Sequence, residues 1–96
     1  MDHIQANELM DLYGSLLTGR QLEILKLYYQ EDFSLSEIQE ELEISKAAVS
    51  DALRKGVRAM EKYEDLLHLA EKNRQITRLA AKYPQMAAEL EEIRNL

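Results

Sequence analysis

The 96-residue chain contains no cysteine, so neither a disulfide framework nor a thiolate metal site supports its fold. It has no tryptophan, one proline and three glycines. The isolated glycines exclude a phosphate-binding loop, which needs several of them close together. No apolar run approaches the ~20 residues that span a bilayer. The start, MDHIQANELMD, lacks the basic residues and apolar stretch of a signal peptide, so a cytoplasmic protein is expected. The two histidines, His3 near the chain start and His68 at a helix exit, belong to no carboxylate–histidine cluster and read as surface residues. The glutamates Glu40 and Glu41, and likewise Glu89, Glu91 and Glu92, read as solvated helix faces. These absences leave no catalytic constellation, and the sequence predicts no enzyme, metal, cofactor or small-molecule substrate.

Nearly half the residues are hydrophobic, enough for one modest core in a folded helical domain with an appended element. The formal charge is −6, but it is unevenly spread. Residues 1–44 carry ten acidic and two basic side chains, whereas residues 45–62 carry five basic and two acidic ones. The remainder is nearly balanced. An acidic chain has no general affinity for nucleic acid, so any anionic partner must meet the local excess at 45–62.

Apolar residues fall at helical spacing throughout, with no strand-like alternation. Leu9, Met10, Leu12, Tyr13, Leu16 and Leu17 form one broad face that predicts a first helix from about Ile4 to before Thr18. Thr18 with Gln21 is a capping box opening a second helix through Leu22, Leu25, Tyr28 and Tyr29. The tyrosines Tyr13, Tyr28, Tyr29 and Tyr63 are expected in the core with hydroxyls at its rim.

The segment SLSEIQEELEISKAAVSDAL, Ser34 to Leu53, carries the functional signal. Ser34 and Glu37 form a second capping box, and Leu35, Ile38 and Leu42 make one apolar stripe. Ile44 sits in a short turn and Ser45 can cap the next helix. Val49, Leu53 and Val57 recur at every fourth position and are expected to face inward, with Met60, Tyr63 and Leu67 continuing the stripe to about His68. The opposite face offers Ala47, Ser50, Asp51, Arg54 and Arg58, flanked by Lys46 and Lys55. Small, polar and basic side chains grouped on the second of two helices suit a reader in the DNA major groove. The same spacing would serve a plain helical hairpin. Gln39 and Glu43 stand where helix-turn-helix motifs usually place alanine and glycine.

The run Leu17–Thr18–x–Arg20–Gln21, Ile24–Leu25–x–Leu27–Tyr28–Tyr29, Ser36–Glu37–Ile38, Ser45 and Ala48–Val49 resembles the fourth region of housekeeping sigma factors. Leu12–Leu69 is more closely similar to the YlxM family of helix-turn-helix proteins. The resemblance lies in Leu12–Tyr13–Gly14–x–Leu16–Leu17–Thr18, Leu27–Tyr28–Tyr29, Asp32–x–Ser34–Leu35–x–Glu37–Ile38, Ile44–Ser45–x–x–Ala48–Val49–x–Asp51 and Tyr63–Glu64–x–x–Leu67–His68–Leu69. It implies an all-α, sigma region 4-like bundle with C-terminal extension helices, in a small cytosolic bacterial protein. It also implies a role beside the signal recognition particle, either as a DNA-binding regulator or as an adaptor that contacts the particle.

The expected domains are residues 1–69, holding the motif, and 70–96, a helical extension. In the extension Ile76, Leu79, Ala80 and Tyr83 predict a helix that stops before Pro84, and Pro84 can open a last one through Ala87, Leu90 and Ile93. Leu66, Leu67, Leu69, Ile76, Leu79, Tyr83, Leu90 and Ile93 exceed what a four-helix unit can cover. The sequence therefore predicts a homodimer joined through residues beyond Tyr63, the alternative being a tail folded back on its own chain. Two copies would also raise the affinity of so sparsely charged a reader.

Overall fold

The structure, a computed structural model describing residues 1–96, is all helical and contains no strand. In chain order the helices are α1 (His3–Tyr13), α2 (Gly19–Tyr29), α3 (Leu35–Leu42), α4 (Lys46–Leu67), α5 (Leu69–Lys82) and α6 (Ala87–Arg94). Short 3-10 turns at Gly14–Leu16 and Pro84–Met86 follow α1 and precede α6. The chain divides into two compact units, Met1–Leu66 and Leu67–Leu96.

In the first unit the helix starts are written in side chains. Asp2 accepts the Gln5 N–H at 2.7 Å and opens α1. Both expected capping boxes form: Thr18 Oγ1 accepts from Gln21 N–H and Ser34 Oγ from Glu37 N–H, each at 3.1 Å, and the glutamine and glutamate reach back. Each box satisfies two backbone donors that the first helical turn would otherwise leave unpaired. The ends rely on left-handed residues that are not glycine. Asp32 after α2, Glu43 after α3 and His68 after α4 have φ of 57°, 54° and 55°.

Ala6, Leu9, Met10, Tyr13, Ile24, Leu25, Tyr29, Ile38, Val49 and Met60 form the interior of this unit. Ile24, Ile38 and Val49 make the centre that joins α2, α3 and α4, and Leu42, Ile44 and Leu53 pack at its edge. Tyr13 is fully buried and donates its hydroxyl to Glu64 at 2.6 Å, while Tyr28 and Tyr63 are half-buried, as the sequence expects of rim tyrosines. Leu16 departs from the expected face: the chain has left the α-helix at Gly14, and this side chain is 54% exposed. His3 does more than sit at the surface. Its ring donates to the Tyr29 carbonyl at 2.8 Å, satisfying an acceptor at the end of α2.

The inward phase of α4 also differs from the expected stripe. Val49, Gly56 and Met60 take the deepest positions, while Leu53 and Val57 are half-buried and Leu67 is exposed. The cause is a close approach. A Cβ on Gly56 would lie 2.8 Å from Leu25 Cδ1, so the helix rotates its missing side chain toward α2 and turns Leu53 and Val57 aside.

In the second unit α5 and α6 pack on each other, with Ile76 and Ala80 of α5 and Ala87, Leu90 and Arg94 of α6 half-buried. Arg94 donates to Thr77 Oγ1 at 3.1 Å. Neither helix has a side-chain cap. Tyr83 leaves the helical region ahead of Pro84, ending α5 as the sequence expects. Leu69, Leu79, Tyr83, Met86 and Ile93 are exposed.

Candidate nucleic-acid interface

Helices α3 and α4 are joined through Glu43, Ile44 and Ser45 alone, so the geometry of this turn sets the pose of α4. Glu43 takes the left-handed conformation, and the Glu43 and Ile44 N–H groups both bond the Gln39 carbonyl, which closes the C-terminus of α3. Ile44 folds its side chain onto the Ile24–Ile38–Val49 cluster. Ser45 Oγ then accepts the Ala48 N–H at 3.0 Å and starts α4. Each step is local, and together they deliver the first turns of α4 with one side buried and one side open.

The open side carries the residues predicted from the sequence. At about 100° per residue, Ala47, Asp51, Arg54 and Arg58 lie opposite Val49 and Gly56, with Ser50 on one border and Lys55 on the other. Lys46, Ala47, Ser50, Arg54, Lys55 and Arg58 are all exposed, and Asp51 is partly so. Lys46 stands at the first turn, nearer the α3 side. The structure therefore brings all seven candidates to the accessible part of one helix.

Their charges are not equivalent. Asp51 bonds Lys55 Nζ at 3.0 Å and Arg54 Nη2 at 2.7 Å. Hydrogen bonds from Lys55 first, and from Arg54 second, hold its carboxyl below the usual carboxylate range. Two of the cations are thus tied to a neighbour on their own helix. Lys46 and Arg58 have no such partner. Glu37, Glu40 and Glu41 on α3 and Glu43 in the turn are exposed as well, so acidic groups precede the cationic face along the motif.

Beside that face lies a feature that sequence reasoning missed. Tyr29 and Leu35 face Ser50, Leu53, Arg54, Val57, Arg58 and Glu61 across an open groove of about 490 Å³. It exists because the rotation of α4 at Gly56 leaves Leu53 and Val57 only partly covered. The one available signal was a glycine in mid-helix. Burial raises the Tyr29 pKa, with Tyr28 and the negative charge of Glu61 adding to it, so its hydroxyl remains neutral. No group of three or more potential metal-ligating side chains occurs anywhere in the structure, and no helix is long and apolar enough to cross a membrane.

The whole chain, residues 1–96, matches the protein family described as "Putative helix-turn-helix protein, YlxM / p13 like". The chain belongs to this family. Among YlxM / p13-like relatives, a UPF0122 protein of Bacillus thuringiensis is 42% identical over 87 residues, covering 91% of this chain and 79% of the relative. A UPF0122 protein of Lactococcus lactis subsp. cremoris is 37% identical over 97 residues, covering 94% and 87%. The resemblance read from Leu12–Leu69 thus extends over the full length. The YlxM / p13-like family is described by its helix-turn-helix motif.

Proposed function

We propose that the protein is a DNA-binding regulator that reads duplex DNA with the first turns of α4. One observation carries this reading: Ala47, Ser50, Arg54 and Arg58 share the accessible side of a helix whose other side is fixed by the Ile24–Ile38–Val49 core. Small residues at 47 and 50 allow the helix backbone to approach base edges, and the arginines reach phosphates or guanine. Lys46 and Lys55 add backbone contacts. A net charge of −6 keeps nonspecific affinity low, so the bound fraction depends on this face.

The test is binding of labelled duplex DNA over a range of salt concentrations. Replacing Arg54 and Arg58 together with alanine is expected to weaken binding and to reduce the salt slope by about two units, about one for each lost phosphate contact. Unchanged affinity in a double variant that still folds rejects α4 as the reader.

A second reading rests on a different observation. Glu37, Glu40, Glu41 and Glu43, in the helix and turn that precede α4, are exposed, and Asp51 engages Arg54 and Lys55. Such a surface repels phosphate and attracts a basic protein. Under this reading the protein is an adaptor for the signal recognition particle, the partner implied by the family resemblance. Binding to the purified particle that survives nuclease and is lost on Glu40→Lys with Glu41→Lys would favour it. Retention of DNA binding alone would favour the first.

A further inference from the structure

Two surfaces are left without a partner, and they match. The first is the groove beside α4, with Leu35, Leu53 and Val57 as its apolar floor, Arg54 and Arg58 on one rim and Glu61 at one end. The second is the outer face of α6. Ala87, Leu90 and Arg94 turn toward α5, which leaves Glu89, Glu92 and Ile93 on the other side, with Met86 at its edge. Ile93 is 55% exposed and Met86 45%.

We propose that α6 of a second copy docks in this groove, with Ile93 on the Leu53–Val57 floor and Glu89 and Glu92 against Arg54 and Arg58. Charge decides the occupant and its direction. The groove presents arginine on its rim, including Arg58, which has no acidic partner within its own chain. The α6 face presents glutamate beside an exposed isoleucine, and no basic residue shares that face. Glu61 repels the acidic side of the incoming helix and sets its polarity. One helix of eight residues buries less than the ~1,200–2,000 Å² of a stable interface. Reciprocal exchange uses groove and helix twice and closes a two-fold dimer.

The assignment rests on the proposed reading of DNA by α4 and gives it a regulation. Docked glutamates occupy Arg54 and Arg58, so DNA and the partner's α6 compete. The sequence suggested that a tail-mediated dimer would strengthen DNA binding. The position of the groove gives the tail the opposite effect.

Sedimentation of the full chain without DNA tests the dimer independently of DNA binding. The wild type is expected to dimerise reversibly, and Ile93→Asp and Arg58→Glu each to weaken the dimer by on the order of tenfold or more. Combining Arg58→Glu with Glu92→Arg and Glu89→Arg in one chain is expected to restore it, while Leu79→Asp on α5 leaves it unchanged. Circular dichroism melts confirm that each variant folds. A wild type that stays monomeric overturns the proposal. So does a dimer that tolerates Ile93→Asp, one lost on Leu79→Asp, or a charge swap that fails to restore association. With labelled duplex DNA, Ile93→Asp is expected to bind more tightly than wild type, and equal affinity overturns the competition.

Discussion

The two units of the chain are both helical, yet they are specified in different ways. Every α-helix start of Met1–Leu66 carries a side-chain cap: Asp2, Thr18, Ser34 and Ser45 each accept a backbone N–H. Neither α-helix of Leu67–Leu96 has one. The first unit buries ten hydrophobic residues, and the second buries only Ala70. A helix can therefore be set by its own caps and core, or left amphipathic with much of its apolar side in water. The first kind holds the start of α4 in a fixed pose. The second kind presents surface.

The sharpest way to break this contrast is to delete matched side chains. Ile38→Ala removes a fully buried residue at the centre of the core and is expected to cost about 2–5 kcal/mol in denaturant unfolding. Leu79→Ala on α5 is expected to cost no more than about 0.5 kcal/mol, because Leu79 is exposed. Comparable losses at the two positions would mean that the second unit is as firmly packed as the first. Leu53→Ala, expected from the sequence to remove a core leucine, should fall between them because Leu53 is only half-buried.

A methyl group tests the close approach of α4 to α2. In an open helix Gly→Ala would gain about 1 kcal/mol of propensity. At Gly56 the new Cβ meets Leu25 Cδ1 at 2.8 Å, and Leu25 is fully buried, so its side chain must shift against packed neighbours. Gly56→Ala is expected to cost about 1–3 kcal/mol net. A more stable variant would show that the two helices can separate without penalty.

Much of this was legible beforehand, and the reason is locality. Capping boxes at Thr18–Gln21 and Ser34–Glu37, the Ser45 cap and the stop before Pro84 are short-range chemistry, and all appear where the sequence places them. All seven candidate reader residues also fall on accessible α4 surface. The rotational phase of α4 was not legible. Hydrophobic spacing ranks Leu53 and Val57 above Gly56, but packing distance between helices favours the residue with no side chain. The groove follows from that rotation and was hidden for the same reason. So was the pairing of Asp51 with Arg54 and Lys55, which sequence reading had counted as separate charges.

Capping gives a smaller effect. Thr18→Ala and Ser34→Ala are each expected to cost about 1 kcal/mol in thermal or chemical melts, since each removes one partner of a reciprocal box. No cap exists to remove from α5 or α6, so the asymmetry between the units lies partly in these two hydroxyls.

The smallest effect should be shared by both units. Asp51 in α4 is held below its ordinary pKa by Lys55 and Arg54, and Glu71 in α5 by Gln75 and Arg74. A carboxylate whose folded pKa is depressed contributes stability above its unfolded pKa and loses it as pH falls through the folded value. Asp51→Asn and Glu71→Gln are therefore each expected to flatten the acid limb of melting temperature against pH slightly. Both groups are solvated, which keeps the change small. An acid limb left unaltered by both substitutions would assign the pH response to other carboxylates.

The hydrogen bond from Tyr13 to Glu64 spans 51 positions of sequence and engages α4 near its C-terminal end, far from Lys46. A helix of 22 residues is about 33 Å long, and its backbone bonds make it nearly inextensible. With Gly56 against Leu25 at mid-length, such a rod is held at two well-separated points. The direction in which α4 presents Lys46 is therefore fixed in part from its far end, at Glu64.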